Sequence, residues 1–304
     1  MLGSGDLAIL TAYFNPCNYK SRERNLFLFL DQMRAYDLPV FVAELVFPGQ
    51  HHVLEPTGNI HIIRFHASDV MWHKERLINL AAEQVPPRYI KLAWIDADVL
   101  FPNKGWYDQA SGLLDSYRLV QLFDRVTQQD NYGNEVQLLY GLAAHIALRK
   151  PAPFKFDTSR TWPGLAWAAR RDLLRTHGLL DVFILGSADT YMSLAAYGPL
   201  DEAWEWHVQR LAPRIRKTWR NWAKAFFHDV RGNVGFVPTH VLQLGHGRKE
   251  DRKYVERLEI LARHDFDPVK DIAPGSQGEW QWSSRKPNFH AEVRAYFEER
   301  KEDL

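Results

Sequence analysis

Short apolar runs recur along the first 125 positions of the chain, and each is followed by polar, turn-forming residues. Runs of this length predict strands, which we place at residues 7–13, 40–47, 60–65, 89–95 and 119–123. Apolar residues at helical spacing predict helices at residues 21–35, with Ser21 as the N-cap, and at residues 72–84. Strands that alternate with helices predict an α/β fold, in which helices flank a mostly parallel central sheet.

The second half of the chain has a less regular pattern. Apolar spacing predicts helices at residues 168–177, 188–197 and 288–301, and a further helix after Pro213 within a basic segment, residues 207–228. The 304 residues suffice for one large domain or two small ones.

Composition and charge narrow the broad class of protein. The net charge of +1 creates no overall field that attracts nucleic acid or membrane, although a local basic patch leaves both open. The single cysteine, Cys17, cannot form a disulfide framework, so a reducing compartment is expected, and the side chain is either a small buried group or a nucleophile. The chain shows no signal-peptide pattern and no run near the roughly 20 apolar residues that span a bilayer. We therefore expect a cytoplasmic protein.

Two carboxylates, Asp96 and Asp98, follow the apolar strand predicted at residues 89–95. On an extended segment, side chains two residues apart point the same way, so the pair should repel unless a cation lies between them. Mg²⁺ and Mn²⁺ prefer such oxygen ligands, and the ion would neutralise a departing diphosphate. Asp98 is the expected direct ligand, and Asp96 binds either the metal or a nucleotide ribose. The alternative is a solvated turn.

Other polar residues lie at the ends of predicted strands, where ligands bind in parallel sheets. They are Thr11 and Tyr13 near the end of the first strand and Glu44 in the second. A nucleotide base and its ribose are expected there. Tyr13 either stacks on the base or belongs to the core.

Four blocks of sequence resemble motifs of GT-A glycosyltransferases, in particular the beta-1,4-galactosyltransferase group and family 2-like enzymes. The first two blocks are WHKERLIN at residues 72–79 and KLAWIDADVLFPN at 91–103. The third is WPGLAWAARR at 162–171, followed by GLLD and by LGSAD, which ends at residue 189. The fourth is LGHG, which contains His246. The acidic loop, Gly-Ser-Ala-Asp, is shorter than the Trp-Gly-Gly-Glu-Asp form of that group, so Asp189 is its one carboxylate.

The resemblance implies a Rossmann-like GT-A domain at residues 1–255, with a nucleotide-binding part at about 1–125 and an acceptor-binding part at about 126–255. Residues 256–304 would then form a helical extension. It also implies an enzyme that uses a nucleotide sugar, most simply a UDP-sugar, together with Mn²⁺ or Mg²⁺. The metal ligands would be Asp98, His246 and Asp96, with His240 as the nearest competitor for the histidine.

The same resemblance assigns donor contacts. Lys74 would contact the diphosphate or the uridine, Arg76 and Asn79 are weaker candidates on the same helix, and Gly164 would allow close approach of the donor sugar. Each has a structural alternative. Lys74 is otherwise an exposed helical lysine in ion pairs, and Asn79 otherwise satisfies backbone groups.

Asp189 is the candidate general base for an inverting transfer, because an acceptor hydroxyl needs its proton removed. Its alternative role is to cap the helix predicted at residues 188–197. Trp162 and Trp167 are candidate walls of the sugar or acceptor site, with core packing as the alternative.

The basic segment at residues 207–228 is the candidate acceptor-binding surface. Arg216, Arg220 and Lys224 recur every four residues and would share one helix face, opposite an aromatic face. Such a helix fits DNA with hydroxymethylated bases, an anionic lipid surface that carries a lipid-linked glycan, a lid over the diphosphate, or a solvated face. A glycan or glycoconjugate acceptor is equally open.

Two other functions fit the sequence. One is a binding module with the same fold that holds a nucleotide sugar or glycan without turnover, suggested by the shortened acidic loop. The other is a nucleotidyltransferase or phosphohydrolase, which also uses paired Asp residues and Mg²⁺. The absence of a Walker-type phosphate loop disfavours the latter.

Overall fold

The computed structural model describes residues 5–149, 160–198 and 202–304. The strands are β1 (Leu7–Phe14), β2 (Val40–Val46), β3 (Ile60–His66), β4 (Lys91–Ile95), β5 (Val99–Leu100), β6 (Leu119–Gln121), β7 (Arg125–Gln129), β8 (Glu135–Gly141), β9 (Thr161–Trp162), β10 (Ala166–Arg170), β11 (Val234–Phe236), β12 (His240–Gln243), β13 (Ile272–Pro274) and β14 (Trp280–Trp282). The α-helices are α1 (Lys20–Ala35), α2 (Lys74–Gln84), α3 (Gly105–Leu113), α4 (Leu142–Arg149), α5 (Arg171–His177), α6 (Ala188–Tyr197), α7 (Glu202–Gln209), α8 (Pro213–Val230), α9 (Glu256–Arg263) and α10 (Pro287–Glu299).

A seven-stranded sheet with the order β11-β6-β10-β4-β1-β2-β3 forms the centre of the fold. The pairs β1–β2, β1–β4, β2–β3 and β6–β11 are parallel. Every residue of β2 and β4 is buried, as expected of strands that are covered on both faces. The prediction of an α/β fold with a mostly parallel sheet is therefore confirmed.

Strand β10 corrects the sequence prediction of a helix at residues 168–177. It runs antiparallel to both β4 and β6, and only its continuation, α5, is helical. The segment is rich in Ala, which favours helix, but its pairing with two buried strands outweighs that preference. Because β10 is antiparallel, the residues just before it lie at the carboxyl end of β4.

A second sheet, with the order β5-β12-β7-β8-β9, connects the end of the central sheet with the late part of the chain. Gln243 of β12 pairs with Val99 of β5, and the Leu244 N–H donates to the Asp98 carbonyl at 2.8 Å. This register places the segment that contains His246 beside Asp98.

The start of α1 is capped from the other end of the chain, and not by Ser21 as the sequence predicted. The Asp303 carboxylate accepts hydrogen bonds from the backbone N–H groups of Lys20 and Ser21, at 3.0 and 2.7 Å. The Ser21 hydroxyl instead donates to the Glu302 carbonyl at 2.9 Å. A carboxylate at a helix N-terminus also interacts favourably with the helix dipole. The residues after α10 are thus packed onto the first helix.

Large aromatic side chains fill the core on both sides of the sheet, including Trp106, Trp167 and Trp219. Helix α8 buries Trp219 and Phe226 against the rest of the protein, as its amphipathic pattern predicted. Cys17 is half-buried, and burial raises the pKa of its thiol. Among the described residues, no helix is both long enough and apolar enough to cross a membrane.

Candidate active site

A cavity of about 470 Å³ lies at the carboxyl ends of β1 and β4. Five elements bring chemical groups to it: Tyr13 ends β1, Asp96 follows β4, Gly164 precedes β10, Lys74 begins α2, and Asp189 lies in the first turn of α6. Eight residues predicted from the sequence line it, namely Tyr13, Lys74, Asp96, Asp98, Trp162, Gly164, Asp189 and His246.

Lys74 holds two of these carboxylates together. Its ammonium group donates to Asp96 Oδ1 at 2.9 Å and to Asp189 Oδ2 at 2.8 Å, and Glu75 Oε1 is 3.7 Å away. Burial lowers the pKa of Lys74, but the charges of Asp189, Asp96 and Glu75 outweigh it and raise this pKa well above its usual value. Lys74 is therefore a fixed, buried cation and not an exposed helical lysine.

Two of the surrounding acids bind protons unusually tightly. Burial raises the pKa of Asp96 to about 7 and that of Glu75 to about 7, in spite of the opposing charge of Lys74. Asp96 therefore changes its charge near neutral pH, where a small change in the site's other charges decides its protonation.

Asp189 does not act as a helix cap. Helix α6 has no side-chain cap hydrogen bond, and the Asp189 carboxylate instead accepts from Lys74. A Cβ atom on Gly164 would lie 3.1 Å from Asp189 Oδ2, so a larger residue at this position would press on the carboxylate. Gly164 also lines the cavity, so its predicted role in the approach of a donor sugar stays a prediction.

Asp98 and His246 form a second group in the cavity. His246 Nδ1 lies 3.2 Å from Asp98 Oδ2, which also accepts from the Gln243 amide at 3.3 Å. The other oxygen, Asp98 Oδ1, is buried and has no hydrogen-bond partner among the described residues. Burial, with the nearby Arg252 charge, lowers the pKa of His246 to about 4, so the imidazole is neutral near pH 7.

The strand pattern predicted that the side chains of Asp96 and Asp98 point the same way, but in the structure they have separate partners. The chain turns after Ile95, and the Val99 N–H donates to the Asp96 carbonyl at 3.2 Å. Alternation of side chains along a strand does not apply in a turn, so Asp96 contacts Lys74 whereas Asp98 contacts His246. Within residues 5–149, 160–198 and 202–304, no three His, Cys, Asp or Glu side chains are grouped as a ready-made metal site.

Three residues predicted to bind the donor or the acceptor lie in the protein interior and not in the cavity. Thr11 is fully buried in β1. Glu44 Oε1 accepts from the backbone N–H of Val53 at 2.6 Å, and so holds a loop in place. Trp167 is fully buried and donates from its indole to the Pro163 carbonyl at 2.8 Å, which is the core role that the sequence left open.

Arg76 and Asn79 lie on α2 but point away from the cavity. The Arg76 guanidinium stacks on the Trp280 ring at 4.3 Å and pairs with Asp181 at 3.2 Å. Asn79 accepts from the Leu179 N–H at 2.7 Å and donates to its carbonyl at 2.8 Å, so it satisfies backbone groups.

The basic residues of α8 lie outside the cavity lining as well. Arg216 donates to the Leu211 carbonyl at 2.9 Å and so stabilises the preceding turn. Arg220 is half-exposed and 3.8 Å from Glu205, and Lys224 borders a shallow depression beside His228.

Cations from the C-terminal part of the chain complete the cavity, and the sequence patterns did not identify them. The cationic side chains that line it are Arg22, Lys74, Arg210, Lys249, Arg252, Arg257 and Arg300, against the carboxylates Glu75, Asp96, Asp98 and Asp189. Seven cations less four carboxylates leave an excess of three positive charges. Residues 256–304, expected as an extension, therefore contribute directly to the cavity.

Arg300 is held in place by Glu302. Both side chains are nearly inaccessible, Arg300 Nε lies 2.5 Å from Glu302 Oε1, and Arg22 approaches the same carboxylate at 3.3 Å. Arg300 also stacks over the Trp72 ring at 5.2 Å. Burial raises the pKa of Glu302, but the charges of Arg300 and Arg22 outweigh it and hold the pKa well below its usual range.

We expect Glu302→Gln to lower the free energy of unfolding by about 1.5–3 kcal/mol at pH 7, because two buried guanidinium groups lose a charged acceptor. The depressed pKa of Glu302 means that its stabilisation is present above its unfolded pKa near 4.3 and is lost as pH falls below that value. Urea unfolding at pH 7 and pH 3.5 tests this. If Glu302→Gln lowers the free energy of unfolding by the same amount at both pH values, the prediction is wrong.

Comparison with known proteins gives similarity of fold only. No protein-family model matches the chain, and no curated protein matches it by sequence. Among solved structures, the catalytic domain of Drosophila beta1,4-galactosyltransferase 7 in complex with xylobiose has 11% identity and a TM-score of 0.41, over 94% of this chain and 98% of that chain.

Two further structures are similar. S. aureus TarS 1-349 has 13% identity and a TM-score of 0.37 over 61% of this chain and 53% of that chain, so the match spans about half of the TarS fragment. The 4-diphosphocytidyl-2C-methyl-D-erythritol synthase of Anaerococcus prevotii has 10% identity and a TM-score of 0.37, over 82% of this chain and 93% of that chain. At these values, an assignment of function rests on the site itself.

Proposed function

We propose that the protein is a glycosyltransferase, which moves a sugar from a nucleotide sugar, most simply a UDP-sugar, to an acceptor hydroxyl. One observation carries this proposal: a single cavity at the strand ends combines an excess of cations, a neutral histidine beside a carboxylate, and the acid Asp189. A nucleoside diphosphate has the charge that such a cavity attracts.

The donor would lie between β1 and the Asp98–His246 pair. Tyr13 and Asp96 both line the cavity, where the Tyr13 ring would stack on the base and Asp96 would accept hydrogen bonds from the ribose. Cations around the cavity would stabilise the charge that develops on the departing diphosphate.

Asp98 and His246 fit a divalent cation in part. A buried carboxylate oxygen without a partner and a neutral imidazole are ligands that Mn²⁺ accepts. When bound, the ion would act as a Lewis acid toward the diphosphate. Two protein ligands leave the remaining positions to water and to the donor.

Asp189 would act as the general base. Its carboxylate takes the proton of the acceptor hydroxyl, whose oxygen bonds to the anomeric carbon as the bond from that carbon to the diphosphate breaks. A single displacement of this kind inverts the anomeric centre. Gly164 gives the carboxylate its room, and Trp162 borders the same space. A glycan or glycoconjugate is the proposed acceptor.

Thermal unfolding with nucleotides tests the donor site. A UDP-sugar at about 100 times its Kd should stabilise the protein by about 2.7 kcal/mol when Mn²⁺ is present. Asp98→Ala should remove the metal-dependent part of this shift, whereas Asp31→Ala, at an exposed carboxylate of α1, should leave it unchanged. If no nucleotide shifts the wild type with or without metal, the proposal is wrong.

A further inference from the structure

Arg257 is a buried cation with no carboxylate partner among the described residues. Its side chain lines the cavity, and the residue is 8% exposed. It donates to Ser187 Oγ from Nη2 at 2.6 Å and from Nε at 3.0 Å, and to Tyr296 Oη at 3.4 Å, and it stacks over the Tyr254 ring at 4.8 Å. In the part of the chain that the structure describes, Arg257 forms no ion pair, whereas its neighbour Arg300 has Glu302.

An unpaired buried cation is costly, because hydroxyl groups and a ring replace only part of its hydration. The surroundings of Tyr296 show the resulting positive potential. Burial raises the pKa of this phenol, but the adjacent charges of Arg300 and Arg257 outweigh it, and the net pKa is lowered. An anionic group in the cavity would compensate the charge of Arg257.

A second arginine, Arg210, follows α7 directly and lines the same cavity. Its guanidinium stacks over the Trp206 ring at 4.5 Å, and its closest carboxylate, the exposed Glu259, is 3.8 Å away. Burial raises the pKa of Tyr191, and the charges of both Arg210 and Arg257 act on that phenol to lower it. Glu259 lies on α9 two residues after Arg257, so Arg210 approaches the same helix that carries Arg257.

This pair of arginines lies on the side of Asp189. Ser187, which binds Arg257, precedes Asp189 by two residues, and Tyr191 follows in the same helix. Arg252, by contrast, donates to the His246 carbonyl at 3.3 Å and belongs to the side of the Asp98–His246 pair. Arg252 and Arg257 meet at Tyr254, since Arg252 donates to its hydroxyl at 3.1 Å and Arg257 lies over its ring. The cations of the cavity therefore form a continuous row, in which Arg257 is the arginine bound to the segment that carries Asp189.

We propose that the acceptor carries an anionic group, a phosphate or a carboxylate, which Arg257 and Arg210 bind next to the hydroxyl that receives the sugar. This rests on the proposed function, because it identifies the acceptor side by Asp189. Two guanidinium groups suit such an anion because their N–H groups form paired, charge-assisted hydrogen bonds with its oxygens.

Calorimetric titration of the protein saturated with UDP and Mn²⁺ tests the proposal. The probes are inorganic phosphate, glycerol 3-phosphate and glucuronate, with glycerol and glucose as their uncharged counterparts. Only the anionic probes should bind. If glycerol 3-phosphate binds more tightly than glucuronate, the anionic group is a phosphate; if glucuronate binds more tightly, it is a carboxylate. Arg257→Met should weaken binding at least tenfold, since a charged hydrogen-bonding partner is lost.

Arg210→Met, at a partly exposed position, gives a second variant if Arg257→Met does not fold, and it should also weaken binding. Arg263→Met is the matched control, because Arg263 lies on α9 with Arg257 but pairs with Glu292 at the surface. The proposal is overturned if no anionic probe binds, if binding competes with UDP, or if both variants bind like the wild type. If UDP itself does not bind, the glycosyltransferase proposal fails, while phosphate binding that Arg257→Met abolishes would still establish the anion site.

Discussion

Replacing Asp189 with Asn is expected to reduce the rate of sugar transfer by about 10²–10⁴-fold, the usual contribution of a positioned general base. Asn has the same shape and still accepts a hydrogen bond from Lys74, but it cannot take the proton of an acceptor hydroxyl. Nucleotide binding should persist, because the Asp98–His246 pair and the cations of the cavity are unchanged. The measurement is UDP release from a UDP-sugar with a panel of acceptors, beside calorimetric binding of UDP.

The matched control for this experiment is Asp172→Asn, which also removes a carboxylate from the first turn of a helix, α5, but at a half-exposed surface position. It should leave transfer unchanged. If Asp189→Asn transfers sugar like the wild type, the base lies elsewhere in the cavity. If the wild type binds UDP-sugar but no acceptor yields product, the alternative of a binding module without turnover gains support.

The parallel core of the fold was predictable because its signals are local. Strands β1, β2 and β4 are apolar runs bounded by turn residues, and α1 and α2 have helical spacing between them. Polar residues at the carboxyl ends of such strands meet at one edge of the sheet, which is why Asp96 and Asp98 line the cavity. Their separate partners were not predictable, because the turn after Ile95 depends on pairing with β10.

Strand β10 shows why other parts of the fold escaped prediction. Its Ala-rich sequence has no strand signal of its own, and its conformation follows from the buried edges of β4 and β6. Propensity is a weak guide where tertiary pairing decides the conformation.

The cations of the C-terminal part escaped prediction for a related reason. Arg257 and Arg300 are isolated arginines in otherwise ordinary helical sequence, and nothing near them in the chain marks them as buried. The basic segment of α8 gave the stronger local pattern in the sequence. In the structure, however, Arg216 stabilises the turn before α8, and Arg220 lies in a surface ion pair with Glu205. Charge clustering in the sequence therefore did not identify the cations that line the cavity, and acceptor binding by α8 stays a prediction. Lys74, Asp189 and His246, which do line it, were located by motifs that follow chain order.

Lys74→Met is expected to destabilise the protein by about 3–5 kcal/mol at pH 8, since it leaves buried carboxylates without their cation. The effect should depend on pH. Because the pKa of Asp96 and that of Glu75 are raised to about 7, the native state binds more protons than the unfolded chain between about pH 4 and pH 7. Stability contributed by these acids therefore falls as pH rises through that window.

Removing Lys74 takes away the positive charge that lowers the pKa of Asp96 and of Glu75, so both pKa values should rise further. The pH range over which these acids make stability fall should then extend to higher pH. The difference in unfolding free energy between wild type and Lys74→Met should consequently be smaller at pH 5 than at pH 8, as measured by urea unfolding; the loss of the contact with Asp189 remains at both. Lys224→Met, at an exposed position of α8, is the control and should have little effect at either pH. A difference that does not vary with pH, or that equals that of Lys224→Met, would mean that the carboxylates are not coupled to Lys74. A cluster of buried ion pairs often contributes no more to stability than well-packed apolar residues of the same volume would. Strongly shifted pKa values are typical of functional sites. A strong dependence of the stability difference on pH would therefore favour a role for Lys74 and its three acids in binding and catalysis.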